Sequence, residues 1–401
     1  MSGFCSWFHN KAQGPAWVTA NDALTFLNSQ RFTYPVSFMM RSQLMLDQPR
    51  VLLVADLNYY AKGYARWQAL KRLGAEVEAI SHTPVGDNED GTPGYSLLFR
   101  IAWKLGIHMD TENINSSVPV RAQAFEPDLI WIEKGNMIHP SSITALHTIC
   151  PNAIIASYSE DDMYNPINRS LAYQRGLKHY HIVFVSKSFN ARKEELPSLG
   201  ARVCQFVDKA FDPEQHRPID ITEAERKAYG SDVGFIGTYA PERGADLLFL
   251  AENGLSVRVW GNGWEAFDGK HSNLRVERRA LVNRPDDLRY TKGILATKIN
   301  LGFLRKINRD LQTDRSIEIP ACGGFMLAEF SSEHDRLFAN GDEAVFYENR
   351  QDLLDKTRLY LSNDTLRHSI AKAGRARCVA SNYSHDGRMA FMLEKAFHQR
   401  P

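Results

Sequence analysis

Val51-Leu-Leu-Val-Ala-Asp56 is a short apolar run closed by an acid, and the residues that follow it decide the fold. A run this short, with no alternation, fits a strand buried on both faces of a parallel sheet. The loop Leu57-Asn-Tyr-Tyr-Ala-Lys-Gly63 comes next, then a helical stretch over 64–73. Gly74 closes that stretch, at a position where left-handed backbone costs little. Residues 76–80 read as a second strand. A strand, a helix and a strand in this order are the repeating unit of a layered α/β domain.

Outward from this unit the alternation continues. Strands are expected at 129–132, 153–158, 182–185 and 202–206, with helices at 141–149, 168–177 and 188–199. The stretch 87–94, rich in Asp, Asn, Gly and Pro, reads as a loop. Residues 208–230, with Pro213, Pro218 and many charges, read as a linker. The pattern then restarts: strand 232–236, helix 241–253, strand 256–260, strands at 299–303, 325–328 and 344–346, and helices at 350–362 and 364–380. The expectation is α/β, with two Rossmann-like doubly wound domains whose strand ends face a central cleft, where such folds bind ligands. Residues 1–49 show no clear period and form an N-terminal extension. The first domain is set at 50–209, the second at 210–379, and residues 380–401 are a C-terminal helical segment.

Bulk properties narrow the function. With 401 residues, 43% of them hydrophobic, the chain can build two sizeable cores. A formal charge of +1 argues against a nucleic-acid partner held through many phosphates. The five cysteines lie far apart and show no zinc-type spacing, so reduced thiols and no metal site are expected. No stretch approaches the roughly 20 apolar residues of a membrane span. The opening MSGFCSWFHNKAQGPAW has no basic segment leading into an apolar one, so a cytoplasmic chain without a transmembrane segment is expected.

Three stretches can carry chemistry. The first is Asp310-Leu-Gln-Thr-Asp-Arg315-Ser-Ile-Glu318-Ile-Pro-Ala-Cys322-Gly-Gly-Phe325. Pro320 places a helix start near Ser316, with Glu318 in its first turn. There a carboxylate can accept two hydroxyl hydrogen bonds from a ribose while free N–H groups meet a diphosphate. Alternatively, Glu318 only complements the helix dipole. The second stretch, Val233-Gly-Phe-Ile-Gly237-Thr238-Tyr239-Ala-Pro-Glu-Arg243-Gly244, runs from a strand through a glycine loop into a helix. Such a loop can approach phosphate oxygens, and Arg243 can add a bidentate contact; a tight turn with a solvated arginine is the plainer reading. Trp260-Gly261-Asn262-Gly263-Trp264 can form an aromatic wall for a base or sugar, or pack in the core.

The third stretch is Glu160-Asp161-Asp162 with Tyr164, Asn165, Pro166 and Asn168, after a strand. Adjacent acids can raise a pKa for general-base work, or simply cap a turn. The pair His179 and His181 lacks nearby acids and reads as structural. No Gly-x-Ser-x-Gly elbow and no HExxH are present, so serine-hydrolase and zincin chemistry have no support.

At these residues the chain resembles the CgeB-type glycosyltransferases, relatives of the group 1 enzymes, from about residue 50 onward. Arg315-Ser-Ile-Glu-Ile-Pro-Ala-Cys-Gly-Gly-Phe325 is similar to that family's motif, with Ile317 in place of an aromatic and Asp310 as its upstream acid. The Gly237-Thr238-Tyr239 and Trp260-Gly261-Asn262-Gly263-Trp264 segments resemble it too, as do Trp131-Ile-Glu-Lys-Gly135, Asp161-Asp162 and Val185-Ser-Lys-Ser. The resemblance implies a GT-B fold and a hexosyltransferase-type enzyme. It would move a sugar from a nucleotide-sugar donor to a glycan, protein or small-molecule acceptor, with no metal required and with retention of anomeric configuration. It also implies that the segment from 380 crosses back to the first domain. Glu318 would then hold the donor ribose, Arg243 the diphosphate, and Gly237, Thr238, Tyr239, Gly261, Asn262, Trp264, Arg315 and Ser316 would complete the donor site. Asp161, Asp162 and Asp310 would be catalytic. A sugar-nucleotide 2-epimerase and a non-catalytic nucleotide-sugar sensor of the same fold are the alternatives.

Overall fold

In the computed structural model β1 (Arg50–Ala55) pairs in parallel with β2 (Glu76–Ser81) on one side and β3 (Leu129–Glu133) on the other. The structure describes residues 48–86, 96–104 and 108–400. Most of the N-terminal extension and the whole loop at 87–94 lie outside the described residues. β4 (Ile154–Ser159), β5 (Ile182–Val185) and β6 (Cys204–Phe206) complete a six-stranded sheet in the order β2-β1-β3-β4-β5-β6. Its connections include α1 (Lys62–Arg72), α2 (Leu97–Lys104), α3 (Ile114–Phe125), α4 (Pro140–Ile149) and α5 (Leu171–Gly176). Residues Val51 to Ala55 are fully buried, which is why the run carries no polar alternation.

The second half repeats the plan. Its strands are β7 (Ser231–Ile236), β8 (Val257–Trp260), β9 (Leu274–Glu277), β10 (Thr297–Gly302), β11 (Met326–Glu329) and β12 (Val345–Tyr347). They form a parallel sheet in the order β12-β11-β10-β7-β8-β9. Its helices are α6 (Glu223–Tyr229), α7 (Pro241–Glu252), α8 (Arg289–Ala296), α9 (Asp314–Cys322), α10 (Ser332–Leu337), α11 (Arg350–Leu361) and α12 (Asp364–Ala380). The last helix, α13 (His385–Phe397), buries Met389, Met392, Leu393, Ala396 and Phe397 with Val51, Leu53, Trp131 and Phe184 of the first sheet. Each large apolar side chain buried in this way contributes about 1.5–3 kcal/mol. All the described residues fall within one compact unit, Val36–Pro401.

Two local expectations need correction. The helix expected at 188–199 is a pair of 3-10 turns, Ser188–Ala191 and Leu196–Leu199. Pro197 has no N–H to continue a ladder. Asn190 also spends its side chain on tertiary contacts, accepting from Met163 N at 3.0 Å and donating to Asp162 Oδ1 at 2.8 Å. The helix expected to begin near Ser316 begins at Asp314 and runs through Pro320 to Cys322. Glu318 therefore sits in the second turn, past the free N–H groups of the helix start. Gly323 stops the helix with φ of 86°. A side chain on Gly324 would meet Ile294 Cγ2 at 2.4 Å, so this glycine lets α9 and α8 approach.

Candidate functional site

Strands of both sheets end at a cleft, as parallel sheets require for ligand access. On the second domain's side of it lies a cavity of about 240 Å³. Glu318, Arg315, Gly237, Thr238, Gly261 and Asn262 line it, so six of the residues singled out in the sequence share one wall. Glu318 is only 3% exposed. Its Oε1 accepts from Lys62 of α1, across the cleft, and its Oε2 accepts from Tyr290 OH at 2.7 Å. His216 Nε2 stands 3.7 Å from Oε1. Burial pushes the Glu318 carboxyl up. The charges of Lys62 and His216, with the hydrogen bonds of Lys62 and Tyr290, outweigh it and bring the pKa down to about 2. Glu318 is thus a buried, ionised acceptor on the cavity wall.

The Gly237 loop packs tightly beneath the same cavity. A side chain on Gly261 would sit 2.1 Å from the Gly237 carbonyl oxygen, and one on Gly237 would meet Phe235 at 2.6 Å and Arg315 Cζ at 3.3 Å. Arg243, at the start of α7, is 1% exposed. Its Nη1 donates to Thr238 O at 2.9 Å, while Nε and Nη2 are buried with no partner among the described residues. The Nε of Arg315 is likewise unpartnered. Both guanidinium groups lie near the Phe235 ring, 5.2 Å and 5.3 Å from its centroid. Burial, then the nearby charges of Arg315 and Arg305, push the Arg243 pKa down to about 10. Two cations with spare donors in one place have the chemistry that suits an anion.

Three other donor-site candidates are placed in packing roles. Trp264 is fully buried, with its Nε1 donating to Gly237 O at 2.8 Å, so it props the loop from below. Tyr239 packs edge-on to Trp264 at 5.2 Å. Ser316 accepts from Thr313 N at 2.9 Å and bonds His334 Nε2 at 2.6 Å, so its hydroxyl closes the start of α9.

The candidate catalytic acids are each tied to a cation. Asp310, 8% exposed, pairs with Lys187 of the first domain and accepts from Asn308 at 3.0 Å. Asp162 is fully buried and is held by Arg309 and Asn190. Burial raises its pKa and the hydrogen bonds from Arg309 and Asn190 more than offset this, so it is lowered. Asp161 pairs with Lys134 at 2.8 Å, which lowers its pKa despite burial. Glu160 lies between Arg66 at 2.7 Å and Lys209 at 2.8 Å; burial opposes its charge, but these two cations hold it well below the usual range. A carboxylate held this way is a poor proton acceptor.

A second cavity, about 760 Å³, adjoins the first on the side of the first sheet and shares Tyr60, Ala61, Lys62 and Asp314 with it. Glu133, Glu160 and Asp161 lie at its floor, and His82 lines it with a buried Nδ1 that meets no partner among the described residues. Burial lowers the His82 pKa, which favours the neutral ring.

The sequence reading missed Lys62, Tyr290 and His216. Lys62 stands in the loop quoted after β1, and Gly63 fixes it there: a side chain at Gly63 would meet Asp56 O at 2.5 Å. A buried carboxylate needs a cation. That rule could have prompted a search for the partner of Glu318, but nothing local pairs residues 62 and 318.

Among the described residues no group of three or more His, Cys, Asp or Glu side chains is placed to hold a metal ion. No described helix is long and apolar enough to cross a membrane. The four described cysteines, Cys150, Cys204, Cys322 and Cys378, are unpaired.

Comparison with solved structures places this fold among two-domain glycosyltransferases. A glycosyltransferase from Rickettsia africae aligns with a TM-score of 0.60 at 12% identity, over 88% of this chain and 99% of that one. Sucrose-phosphate synthase from Thermosynechococcus elongatus gives 0.57 at 11%, over 88% and 99%. Anabaena HepE in complex with UDP and glucose gives 0.53 at 13%, over 87% and 99%. No curated protein sequence matches the chain. The architecture is GT-B, two α/β domains with parallel sheets, and residues 245–394, from α7 to α13, match the family described as glycosyl transferase-like.

Proposed function

We propose that this chain is a cytoplasmic glycosyltransferase of hexosyltransferase type, related to the CgeB-type enzymes, which takes its sugar from a nucleotide-sugar donor. The observation that carries the reading is a buried ionised Glu318 on one cavity wall with Arg315, whose Nε is uncommitted, and with Arg243 and its uncommitted donors buried beside Arg315 around the Phe235 ring. The carboxylate suits a ribose diol, which donates twice, and the guanidinium groups suit a diphosphate. Asp310 and Asp162 act here as positioning residues, since both are spent on cations of the opposite domain.

Transfer is favoured over 2-epimerisation and over simple sensing by the second cavity, which leaves room for an acceptor beside the donor. We infer retention: with Asp161 and Asp162 held as ion pairs, the departing diphosphate is the better base for the acceptor proton. The charge of that leaving group falls to Arg243 and Arg315, so no metal is required.

Calorimetry with UDP on the wild type and on Glu318→Gln tests the donor site. A charged hydrogen bond is worth about 1.5–3 kcal/mol, so affinity should fall roughly 10- to 150-fold. Equal affinities in a folded variant would remove Glu318 from the donor site. Turnover of the donor without any acceptor, giving an epimer, would replace transfer by epimerisation.

A further inference from the structure

The two adjoining cavities differ in their charge. The first is lined by Arg315, with Arg243 buried beside it around the Phe235 ring, and both have unspent nitrogens. In the second, five carboxylates line the described wall: Asp56, Glu133, Glu160, Asp161 and Asp314. Among the described residues four cations face them, and each is already engaged; Lys209, behind the wall, is on Glu160 and Asp314. Lys62 is on Glu318, Arg66 is on Glu133 and Glu160, and Lys134 is on Asp161. A phosphate or carboxylate entering here would meet an excess of negative charge and, among the described residues, no unspent cation, at a cost that low polarisability of the walls increases. Hydroxyl groups, by contrast, can donate to the spare lone pairs of those carboxylates.

The other end of the same cavity is apolar. Phe99, Met109 and Met137 line it. Phe99 belongs to α2, whose neighbouring side chains Leu97 and Leu98 stand 71% and 76% exposed, with Ile101 at 47%. An acid-rich floor thus faces an apolar end built from Phe99, Met109 and Met137.

We propose that the second cavity binds an uncharged, hydroxyl-bearing acceptor that carries an apolar arm. Its hydroxyl end sits on the carboxylate floor and its arm packs on Phe99, Met109 and Met137. This rests on the glycosyl-transfer reading and sharpens it by assigning the acceptor's chemistry. The fixed charges sort the two substrates, the anionic donor to the arginines and the neutral acceptor to the acids.

The test is calorimetry on the full chain, without donor, using methyl glucoside, octyl glucoside below its micelle concentration, and glucose 6-phosphate. Burial of two or three methylenes of the alkyl chain should tighten octyl over methyl glucoside by about 15- to 60-fold. Glucose 6-phosphate should give no binding. Met109→Ser, at a partly exposed position, should reduce the alkyl gain several-fold, and Phe99→Ala should reduce it further. The proposal is overturned by binding of glucose 6-phosphate at least as tight as that of methyl glucoside. An alkyl gain of nil, or one that ignores both substitutions, also overturns it. So does flotation with neutral lipid vesicles that Leu98→Ser abolishes while the glycosides do not bind, which would make α2 a membrane contact. UDP is titrated alongside. UDP binding without glycoside binding sinks the acceptor proposal alone; glycoside binding without UDP binding supports the cavity's chemistry and sinks the donor reading alone.

Discussion

Arg309 grips Asp162 across the junction of the two domains, with Nε 2.7 Å from Oδ2 and Nη2 2.9 Å from Oδ1. The same guanidinium reaches Glu195 at 2.8 Å and lies 4.0 Å from the Phe189 ring centroid. Asp162 is enclosed while Arg309 is 43% exposed, so the pair is worth less than a fully buried one. Asp162→Asn should lower unfolding stability by about 1–3 kcal/mol and leave UDP affinity within about twofold. Urea titration and calorimetry on one preparation decide this. Unchanged stability with a large fall in catalytic rate would return Asp162 to the chemistry.

Arg243 makes an opposite pair of expectations. A buried guanidinium with unmet donors is a cost to the empty protein, and its pKa is lowered accordingly, to about 10. Arg243→Met keeps much of the volume and removes the charge. The empty protein should gain about 1–3 kcal/mol in stability, while UDP binding should weaken roughly 10- to 150-fold. A variant that loses stability and keeps its UDP affinity would mark Arg243 as a structural residue.

His334 should leave a signature in pH. It is fully buried behind Ser316, and burial, against the hydrogen bond to the Glu329 carbonyl, lowers its pKa from 6.5 to about 4. Between these values the unfolded chain binds a proton that the folded chain refuses. Stability therefore falls as pH drops from about 6.5 to about 4, by up to about 1.4 kcal/mol per pH unit for this one group. His334→Gln should make the slope of stability against pH shallower in that window, whatever its effect at pH 7. An unchanged slope, from urea midpoints at half-unit steps, would show that this group does not titrate as the fold requires.

Chelation tests the neutralisation of the leaving group. With Arg243 and Arg315 in that role, activity should persist in EDTA. Loss of activity restored by magnesium or manganese would assign that charge to a metal instead.

Most strands were readable because each is a short local run whose burial dictates its composition, as in Val51 to Ala55; β9 was not, since Leu274 is its one buried residue. The turns at 188–199 were less so, although Pro197 already argued against a helix there. The wall of the first cavity was partly readable, since glycine loops and an acid near a helix start are local patterns. Gly237, Gly261, Asn262, Arg315 and Glu318 do share a cavity. The packing roles of Ser316 and Trp264 were not readable, because a hydroxyl that closes a helix start, or an indole propping a loop, looks the same in sequence as one that meets a ligand. Lys62 was invisible for a different reason. It is set against Glu318 by the folding of two domains onto each other, across 256 positions of chain.

The return of α13 to the first sheet also bears on how the chain is made. On the ribosome, β1 to β6 emerge first, yet Val51, Leu53, Trp131 and Phe184 keep an open face until Met389, Leu393 and Phe397 arrive. Synthesis of the entire second domain intervenes. The domain that is translated first is therefore the last to be sealed, and until then its bare apolar surface is a natural client for a chaperone.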